Sequence, residues 1–242
     1  MLIDLHAHFL PGLDDGPRDM DEAMDLCRQA VADGVGKACA CPHAFRTYRP
    51  KPERILAGLT ELREALRAEG IPLEVGQGME CHLVPELPGL IAAGEILTLA
   101  GSRYLAVELP FESLPPNPEE VLFRVALAGL VPVVVHPERN SGIAAKPERL
   151  RTLLEQGVLA VVGADSLTGA FGRRTQQAAQ NLVRRRLVQG VVSDAHHAGR
   201  RPVRLTAAQR IVTGLLGREA AQGFFRDFAC CVWEDQAYDG GS

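Results

Sequence analysis

Short apolar runs alternate with helical segments along the whole chain, and this alternation restricts the possible folds more than any other feature. The runs are four to six residues long, as in buried strands, and lie at 2–5, 35–40, 72–75, 104–109, 131–135, 158–162 and 190–193. Strands that alternate with helices predict βαβ units and a parallel sheet. Seven units in 242 residues, with no linker between them, favour one closed α/β barrel over an open sheet.

The segments between the runs carry helix start and stop signals. Asp19 is a candidate N-cap, and Gly34 lies just beyond the end of the same helix. The predicted helices span 19–32, 52–68, 118–128, 147–156, 173–188 and 206–228. We therefore expect a single barrel domain over 1–242 whose C-terminal helix covers about 206–228.

Composition and charge narrow the class of protein. A net charge of −4 gives no general attraction for nucleic acid, so no nucleic-acid partner is expected. Asp4 and His6 interrupt the first apolar residues, which argues against a secretory signal, and no window is apolar enough for a membrane span. The six cysteines include no CxxC pair, which favours free thiols in a reducing compartment. We expect a cytoplasmic protein.

Six of the seven runs end in a histidine or a carboxylate. Sites in parallel α/β folds form at the carboxyl ends of strands, whereas scattered surface histidines would fall on helices and loops alike. The candidate ligands are His6, His8, His43, Glu80, Glu108, His136, Asp194 and His196, with one of Asp14 or Asp15. The two remaining histidines, His82 and His197, each neighbour a candidate. The pattern predicts a metal site.

The ligand types constrain the metal and the substrate. Imidazole and carboxylate without thiolate suit Mn, Fe, Zn or Co better than Ca²⁺ or Mg²⁺, and eight or nine candidates fit two or three ions with Glu80 as a bridge. The positive charge of three divalent ions would exceed the negative charge of four carboxylates and a hydroxide. The centre would therefore stay slightly cationic and favour an anionic phosphate ester. Arg139 in HPER and Arg201 after SDAHH are candidate phosphate ligands, although a solvated loop residue is the alternative for Arg201.

Other catalytic arrangements are not found in the sequence. No cysteine is followed six positions later by arginine, and there is no phosphate-binding G-x-x-x-x-G-K-[ST] loop and no G-x-S-x-G motif. Paired glutamates occur in glycosidases, but carboxylates interleaved with histidines at strand ends favour metal.

The order and spacing of six strings resemble one family over residues 2 to about 225. The strings are HAHFLPGLDDG, CPH, GME, SRYLAVELP, VVVHPERN and SDAHH. They resemble the polymerase-and-histidinol-phosphatase (PHP) superfamily, and within it the bacterial metal-dependent protein-tyrosine phosphatases of capsular polysaccharide synthesis. The resemblance implies a distorted (βα)7 TIM-like barrel with a trinuclear site, usually described with manganese.

The resemblance also implies roles for the candidate residues. It assigns three ligand sets: His6, His8, Glu80 and Asp194; Glu80, Glu108 and His136; and Asp15, His43 and His196. Asp14 is the alternative to Asp15. It assigns Arg139 and Arg201 to the substrate phosphate, and His43 or His196 could supply a proton.

The implied reaction is hydrolysis of a phosphotyrosine ester by in-line attack of a metal-bound hydroxide on phosphorus. The implied partner is the tyrosine-rich tail of a kinase that controls polysaccharide export. Two alternatives remain: a phosphatase for histidinol phosphate or another small molecule, and a non-catalytic metal-binding regulatory module. Phe45, Tyr48 and Phe111 would form an aromatic wall for a phenyl phosphate, or would simply pack the loops. The oligomeric state is not predicted.

Overall fold

The computed structural model of this chain describes residues 1–44 and 47–240. Its strands are all parallel and form two sheets, with the orders β1-β2-β3 and β4-β5-β6-β7-β8. The strands are β1 (Leu2–Ala7), β2 (Val35–Ala40), β3 (Glu74–Gln77), β4 (Cys81–His82), β5 (Tyr104–Glu108), β6 (Val131–Val135), β7 (Leu159–Gly163) and β8 (Gly190–Val192). The predicted α/β fold with a parallel sheet is therefore confirmed.

The two sheets meet at both edges. β4 follows β3 after only three residues of chain. At the other edge, Asp194 N–H donates to the His6 carbonyl over 3.0 Å and His8 N–H donates to the Ala195 carbonyl over 2.8 Å. Ser193 N–H donates to the buried Asp4 side chain over 3.0 Å. The second half of β1 and the residues that follow β8 are thus joined by backbone and side-chain hydrogen bonds.

Helices fill most of the connections between strands. They are α1 (Met20–Ala32), α2 (Pro52–Ala68), α3 (Leu87–Ala92), α4 (Pro118–Leu127), α5 (Ser141–Ala145), α6 (Glu148–Leu154), α7 (Ala164–Thr168), α8 (Arg173–Arg184), α9 (Leu205–Leu216), α10 (Arg218–Gln222) and α11 (Phe228–Trp233). Asp19 caps α1 as predicted, because its side chain accepts a hydrogen bond from Glu22 N–H over 3.0 Å. No described helix has the length and apolar character that crossing a membrane requires.

Most predicted helices match to within two residues at each end, but two differ by more. The single helix predicted over 206–228 is wrong, because Gly217 adopts φ +87° and ends α9; α10 and α11 follow, joined by a π-helical turn at Gly223–Asp227. The helix predicted over 173–188 ends at Arg184, two residues before Arg186 with its positive φ of 55°. Left-handed residues cannot continue a right-handed helix, so both stretches break where one occurs.

The strands alternate between two apolar clusters. Val134 and Val162 belong to a first cluster that includes apolar residues of the long helices. Val133 and Val161 point the other way, into a second cluster with Phe228 and Val232 of α11. The strands are therefore covered on both faces, as their continuous apolar sequences require.

Candidate metal centre

The predicted ligands meet at the carboxyl ends of the strands. Asp15 lies in the loop before α1, and its side chain is about half exposed, while His43 is partly buried. The other members are buried: His6, His8, Glu80, Glu108, His136, Asp194 and His196. We call these nine residues the floor. The folded chain thus brings together residues that are up to 190 positions apart.

A register shift in β1 aims the two N-terminal histidines into the floor. The pairing of β1 with β2 is irregular between Asp4 and Ala7. Ile3 lies in the second apolar cluster, whereas Ala7 lies in the first, so side-chain alternation slips by one within the strand. Such a bulge redirects the side chains that follow it. His6 and His8 consequently lie on one side, with their ring centroids 5.3 Å apart.

The first group of donor atoms surrounds one point. His6 Nε2 and His8 Nε2 each lie 3.3 Å from Glu80 Oε2, and 3.7 and 3.6 Å from Asp194 Oδ1. Donors about 2.1 Å from a shared ion in tetrahedral geometry lie roughly 3.4 Å apart. The spacing of these four atoms therefore suits a divalent metal.

The second group shares Glu80 with the first. His136 Nε2 lies 2.9 Å from Glu80 Oε1 and 3.8 Å from Glu108 Oε1. The other oxygen of Glu108 lies 2.7 Å from His82 Nε2. The two oxygens of Glu80 thus face different groups, as a bridging carboxylate requires, and His82 contacts the floor.

The third group separates the two neighbouring aspartates. Asp15 Oδ1 lies 3.4 Å from both His43 Nε2 and His196 Nε2. Asp14 Oδ2 instead lies 2.6 Å from His8 Nδ1 and accepts a hydrogen bond from His43 N–H over 3.0 Å. Asp15 joins the donor group, whereas Asp14 orients the ring of His8, which is the usual arrangement behind a metal-bound histidine.

The floor is strongly coupled electrostatically. Burial opposes the charge of Glu80, but His6, His136 and His43 lower the pKa of Glu80 well below its ordinary value. Burial likewise opposes charging of His8, but Asp14 raises the pKa of His8 well above its ordinary value. Burial and the charge of His8 lower the pKa of His196 to about 4. His196 is therefore the neutral imidazole, the form that binds metal.

Two floor residues have left-handed backbones. His136 follows β6 with φ 37°, and Asp194 follows β8 with φ 55°. Histidine and aspartate enter this region more readily than most residues, but neither is glycine, so each conformation carries a steric cost that the surrounding structure has to offset. In both cases the turn immediately after the strand places the side chain in the donor cluster.

Several buried donor atoms lack a conventional partner. Glu80 Oε2 lies 3.3, 3.3 and 2.9 Å from His6 Nε2, His8 Nε2 and His43 Nδ1, yet none of these four atoms forms a hydrogen bond of good geometry with the described residues. Buried polar atoms without a partner are costly, and all four converge on the same volume. A bound cation would satisfy them, so the donor set fits a metal centre.

A cavity of about 240 Å³ opens above the floor. Its lining residues are Asp15, His43, Thr47, Tyr48, His82, Glu108, Phe111, Arg139 and Arg201. Arg139 Nη1 donates to Asp194 Oδ2 over 3.1 Å, and Arg201 Nη2 donates to the same oxygen. Both predicted arginines therefore lie beside the floor, which favours the functional interpretation of Arg201 over a solvated loop residue.

Three aromatic side chains surround these groups. The rings of Tyr48 and His43 are nearly parallel, at 15° and 6.1 Å between centroids. Arg139 Cζ lies 4.2 Å from the ring centroid of Phe111 and 4.9 Å from that of Phe171. We call Tyr48, Phe111, Arg139, Phe171 and Arg201 the rim. Phe45, predicted for an aromatic wall with Tyr48 and Phe111, lies outside the described residues.

Sequence reasoning did not identify Phe171 or Asp165, and it left open whether His82 supports a ligand or is merely exposed; the structure places its Nε2 against Glu108. Asp165 is buried two residues after β7, the one predicted strand without a ligand, and Arg204 Nη1 lies 3.6 Å from its Oδ1. Its position just past a strand end was a usable signal. Phe171 lies in a loop and offered none. His197 Nε2 contacts Arg200 instead of the floor.

The parallel sheets and the converging imidazole and carboxylate donors define a class of metal-binding proteins with a parallel α/β fold. The fold is shared with a histidinol phosphate phosphatase from Lactococcus lactis, at a TM-score of 0.56 and 14% identity over 90% of this chain and 93% of that chain. At that identity the likeness shows the fold alone.

The chain belongs to the capsular polysaccharide synthesis family CpsB/CapC, whose model matches residues 2–233. It is 32% identical to the tyrosine-protein phosphatase YwqE of Bacillus subtilis over 219 residues, 90% of this chain and 86% of YwqE. A chain from the crystal structures of YwqE and of CpsB from Streptococcus pneumoniae, described as unique metal-dependent tyrosine phosphatases, superposes with a TM-score of 0.94. The identity is 30%, over 98% of this chain and 96% of that one. The predicted family is confirmed.

Proposed function

We propose that this protein is a metal-dependent phosphomonoesterase that hydrolyses phosphotyrosine in proteins. The observation that carries the proposal is that one cavity combines two features. Its floor holds converging imidazole and carboxylate donors, and two arginines lie directly beside them. The chain matches relatives named tyrosine-protein phosphatases over most of their length, which supports the same reaction.

The proposed fold is one distorted (βα)7 barrel that forms a single domain over 1–242. β3 and β4 count as one strand interrupted at 78–80, and the hydrogen bonds from Asp194 N–H to His6 and from His8 N–H to Ala195 would close the ring. A closed barrel explains why donors from both sheets face one volume.

Three ligand sets would hold the metal. The first ion would lie among His6, His8, Glu80 and Asp194; the second among Glu80, Glu108 and His136; and the third among Asp15, His43 and His196. Such nitrogen and oxygen donors suit Mn, and equally Fe, Zn or Co, with two or three ions bound. Bound divalent ions lower the pKa of water and neutralise phosphate oxygens.

The arginines would bind the substrate phosphate. Arg139 and Arg201 both donate to Asp194 Oδ2, so phosphate oxygens entering the cavity would compete for the same N–H groups. Planar guanidinium groups suit the spread of charge over phosphate oxygens during displacement.

Little acid catalysis is required for a phenolate leaving group. His43 Nε2 and His196 Nε2 face Asp15, so either ring could supply a proton only when the third ligand set holds no ion. His43 is the better donor of the two, because burial opposes its charge but Glu80 raises the pKa of His43, whereas burial and His8 lower the pKa of His196. Tyr48 and Phe111 line the cavity as an aromatic wall for the substrate ring.

The proposed physiological partner is a phosphotyrosine-containing protein of the cytoplasm, the tail of a tyrosine kinase of polysaccharide export. The family description, capsular polysaccharide synthesis, supports this choice.

The test uses chelator-stripped protein to which Mn²⁺, Zn²⁺, Co²⁺ or Mg²⁺ is restored separately. Phosphate release is measured from a phosphotyrosine peptide and from histidinol phosphate, with His197→Ala as a control histidine outside the floor. Metal-dependent turnover that favours the peptide supports the proposal. Preference for histidinol phosphate would replace the substrate but keep the metal chemistry. Binding of metal without turnover of either would favour a regulatory module.

A further inference from the structure

Phe171 occupies a rigid turn beside the floor. It lies between α7 and α8, flanked by Gly169 with φ +87° and Gly172 with φ +88°. Ala170 N–H donates to the Asp165 carbonyl over 2.9 Å, and Gly172 N–H donates to the Gly169 carbonyl over 3.0 Å. These hydrogen bonds fix the turn, although the Phe171 side chain is 37% exposed. The turn therefore holds a large aromatic ring, partly exposed, beside the candidate phosphate ligands.

The ring of Phe171 contacts both candidate phosphate ligands. Arg139 Cζ lies 4.9 Å from the Phe171 centroid, and Arg201 Cζ lies 5.5 Å from it. Phe111 contacts only Arg139 among the described cation–π pairs. Phe171 is therefore the aromatic residue that links the two guanidinium groups, and both distances fall within the range of a cation–π interaction.

The two arginines need such support because they come from different loops and carry the same charge. Arg139 follows β6 and Arg201 follows β8, and they are held together by a shared contact with Asp194 Oδ2. A phosphate that takes over their N–H groups would weaken that contact. Long, flexible side chains would then lose orientation unless another group limited their rotamers.

We propose that Phe171 is a positioning residue that holds Arg139 and Arg201 with their N–H edges toward the cavity, ready for a phosphate dianion. The inference rests on the proposed function only for the identity of the phosphate ester that is bound. Binding of inorganic phosphate by the two arginines does not require that the protein hydrolyse any ester. The aromatic face, rather than apolar bulk, is the feature required, because it attracts both cations while leaving their edges free.

The test measures binding of inorganic phosphate to the metal-loaded full chain by calorimetry. Phe171→Leu and Phe171→Ala are expected to weaken the phosphate Kd about five- to tenfold, whereas Phe171→Tyr restores it. Metal content, measured by elemental analysis, is expected to stay at the wild-type value. Phe123→Ala, at an exposed phenylalanine of α4, is the matched control and is expected to bind phosphate normally.

A double-mutant cycle separates positioning from a structural role. In an Arg139→Ala, Arg201→Ala background, Phe171→Leu is expected to have no further effect on the phosphate Kd, because its action passes through those side chains. An equal effect in both backgrounds would overturn the inference. So would a normal Kd for Phe171→Leu, or a loss of metal in all three Phe171 variants, Tyr included.

The kinetic arm distinguishes this inference from the proposed function. With a phosphotyrosine peptide, Phe171→Leu is expected to raise KM more than it lowers kcat. If the wild type binds phosphate but does not hydrolyse the peptide, the proposed function fails and the calorimetric arm alone decides the role of Phe171. If the metal-loaded wild type binds no phosphate, the positioning role is overturned.

Discussion

The floor of the cavity is built mostly by strand ends, with Asp15 added from a loop, whereas its rim is built by loops. Floor residues such as His6 and Glu80 are fully buried, and the sheet fixes their positions. Rim residues such as Phe111 and Phe171 are more than a third exposed, and they are held by contacts with one another and with the arginines. The two regions separate two tasks: the floor suits metal binding, and the rim suits recognition of the ester.

The largest effect is expected from the floor. His136→Ala removes a donor at the second ligand set and leaves Glu80 and Glu108 without their shared imidazole. We expect metal content to fall by one ion and phosphotyrosine turnover to drop to the level of chelator-stripped protein. Elemental analysis and phosphate release measure the two quantities. Full metal content with normal turnover would contradict the division into floor and rim.

A rim arginine should affect substrate without affecting metal. Arg139→Ala is expected to lower kcat/KM about 10²- to 10³-fold, by a higher KM and a lower kcat, because a donor to the phosphate oxygens is lost. Metal content should remain at the wild-type value. Loss of an ion in this variant would show that Arg139 supports the floor through Asp194, and would remove the distinction between the two regions.

His82 tests where the floor ends. Its Nε2 lies 2.7 Å from Glu108 Oε2, the oxygen that faces away from His136. His82→Ala is expected to weaken binding of one ion about 10- to 100-fold, because outer partners orient ligating carboxylates. Competitive titration with a chelator measures the affinity, and His197→Ala provides the control. An unchanged affinity would place His82 among the cavity-lining residues without a role in metal binding.

The smallest effect is expected at the outer aromatic side chain. Phe111→Leu keeps apolar volume but removes the ring that covers Arg139, and should raise KM for a phosphotyrosine peptide about two- to fivefold. Leu127→Ala, at an exposed residue of α4, controls for the loss of surface apolar area. A change in metal content would indicate that Phe111 contributes to the floor as well.

The sequence allowed the floor to be predicted far better than the rim. Few residue types bind metal, and apolar runs show where strands end, so the histidines and carboxylates could be placed together without a structure. Which of Asp14 and Asp15 joins the donor group depends on the backbone conformation of the loop, and hydrophobic periodicity carries no information about that conformation. Phe171 was missed because its partners lie about thirty residues away on either side. The prediction of one helix over 206–228 was wrong because the apolar spacing continues through Gly217, whereas the backbone of Gly217 is left-handed and ends the helix.

The hydrogen bond from Ser193 N–H to Asp4 spans 189 residues of chain, and a similar span separates His6 and His8 from Asp194 and His196 of the floor. Contacts of such high sequence separation form late, since the intervening loops must first be ordered. A nascent or partly folded chain therefore has His6 and His8 without Asp194 and His196, and holds no complete ligand set. We expect metal ions to leave the folding rate unchanged and to slow unfolding, so that metal governs how long the native state persists rather than how fast it is reached.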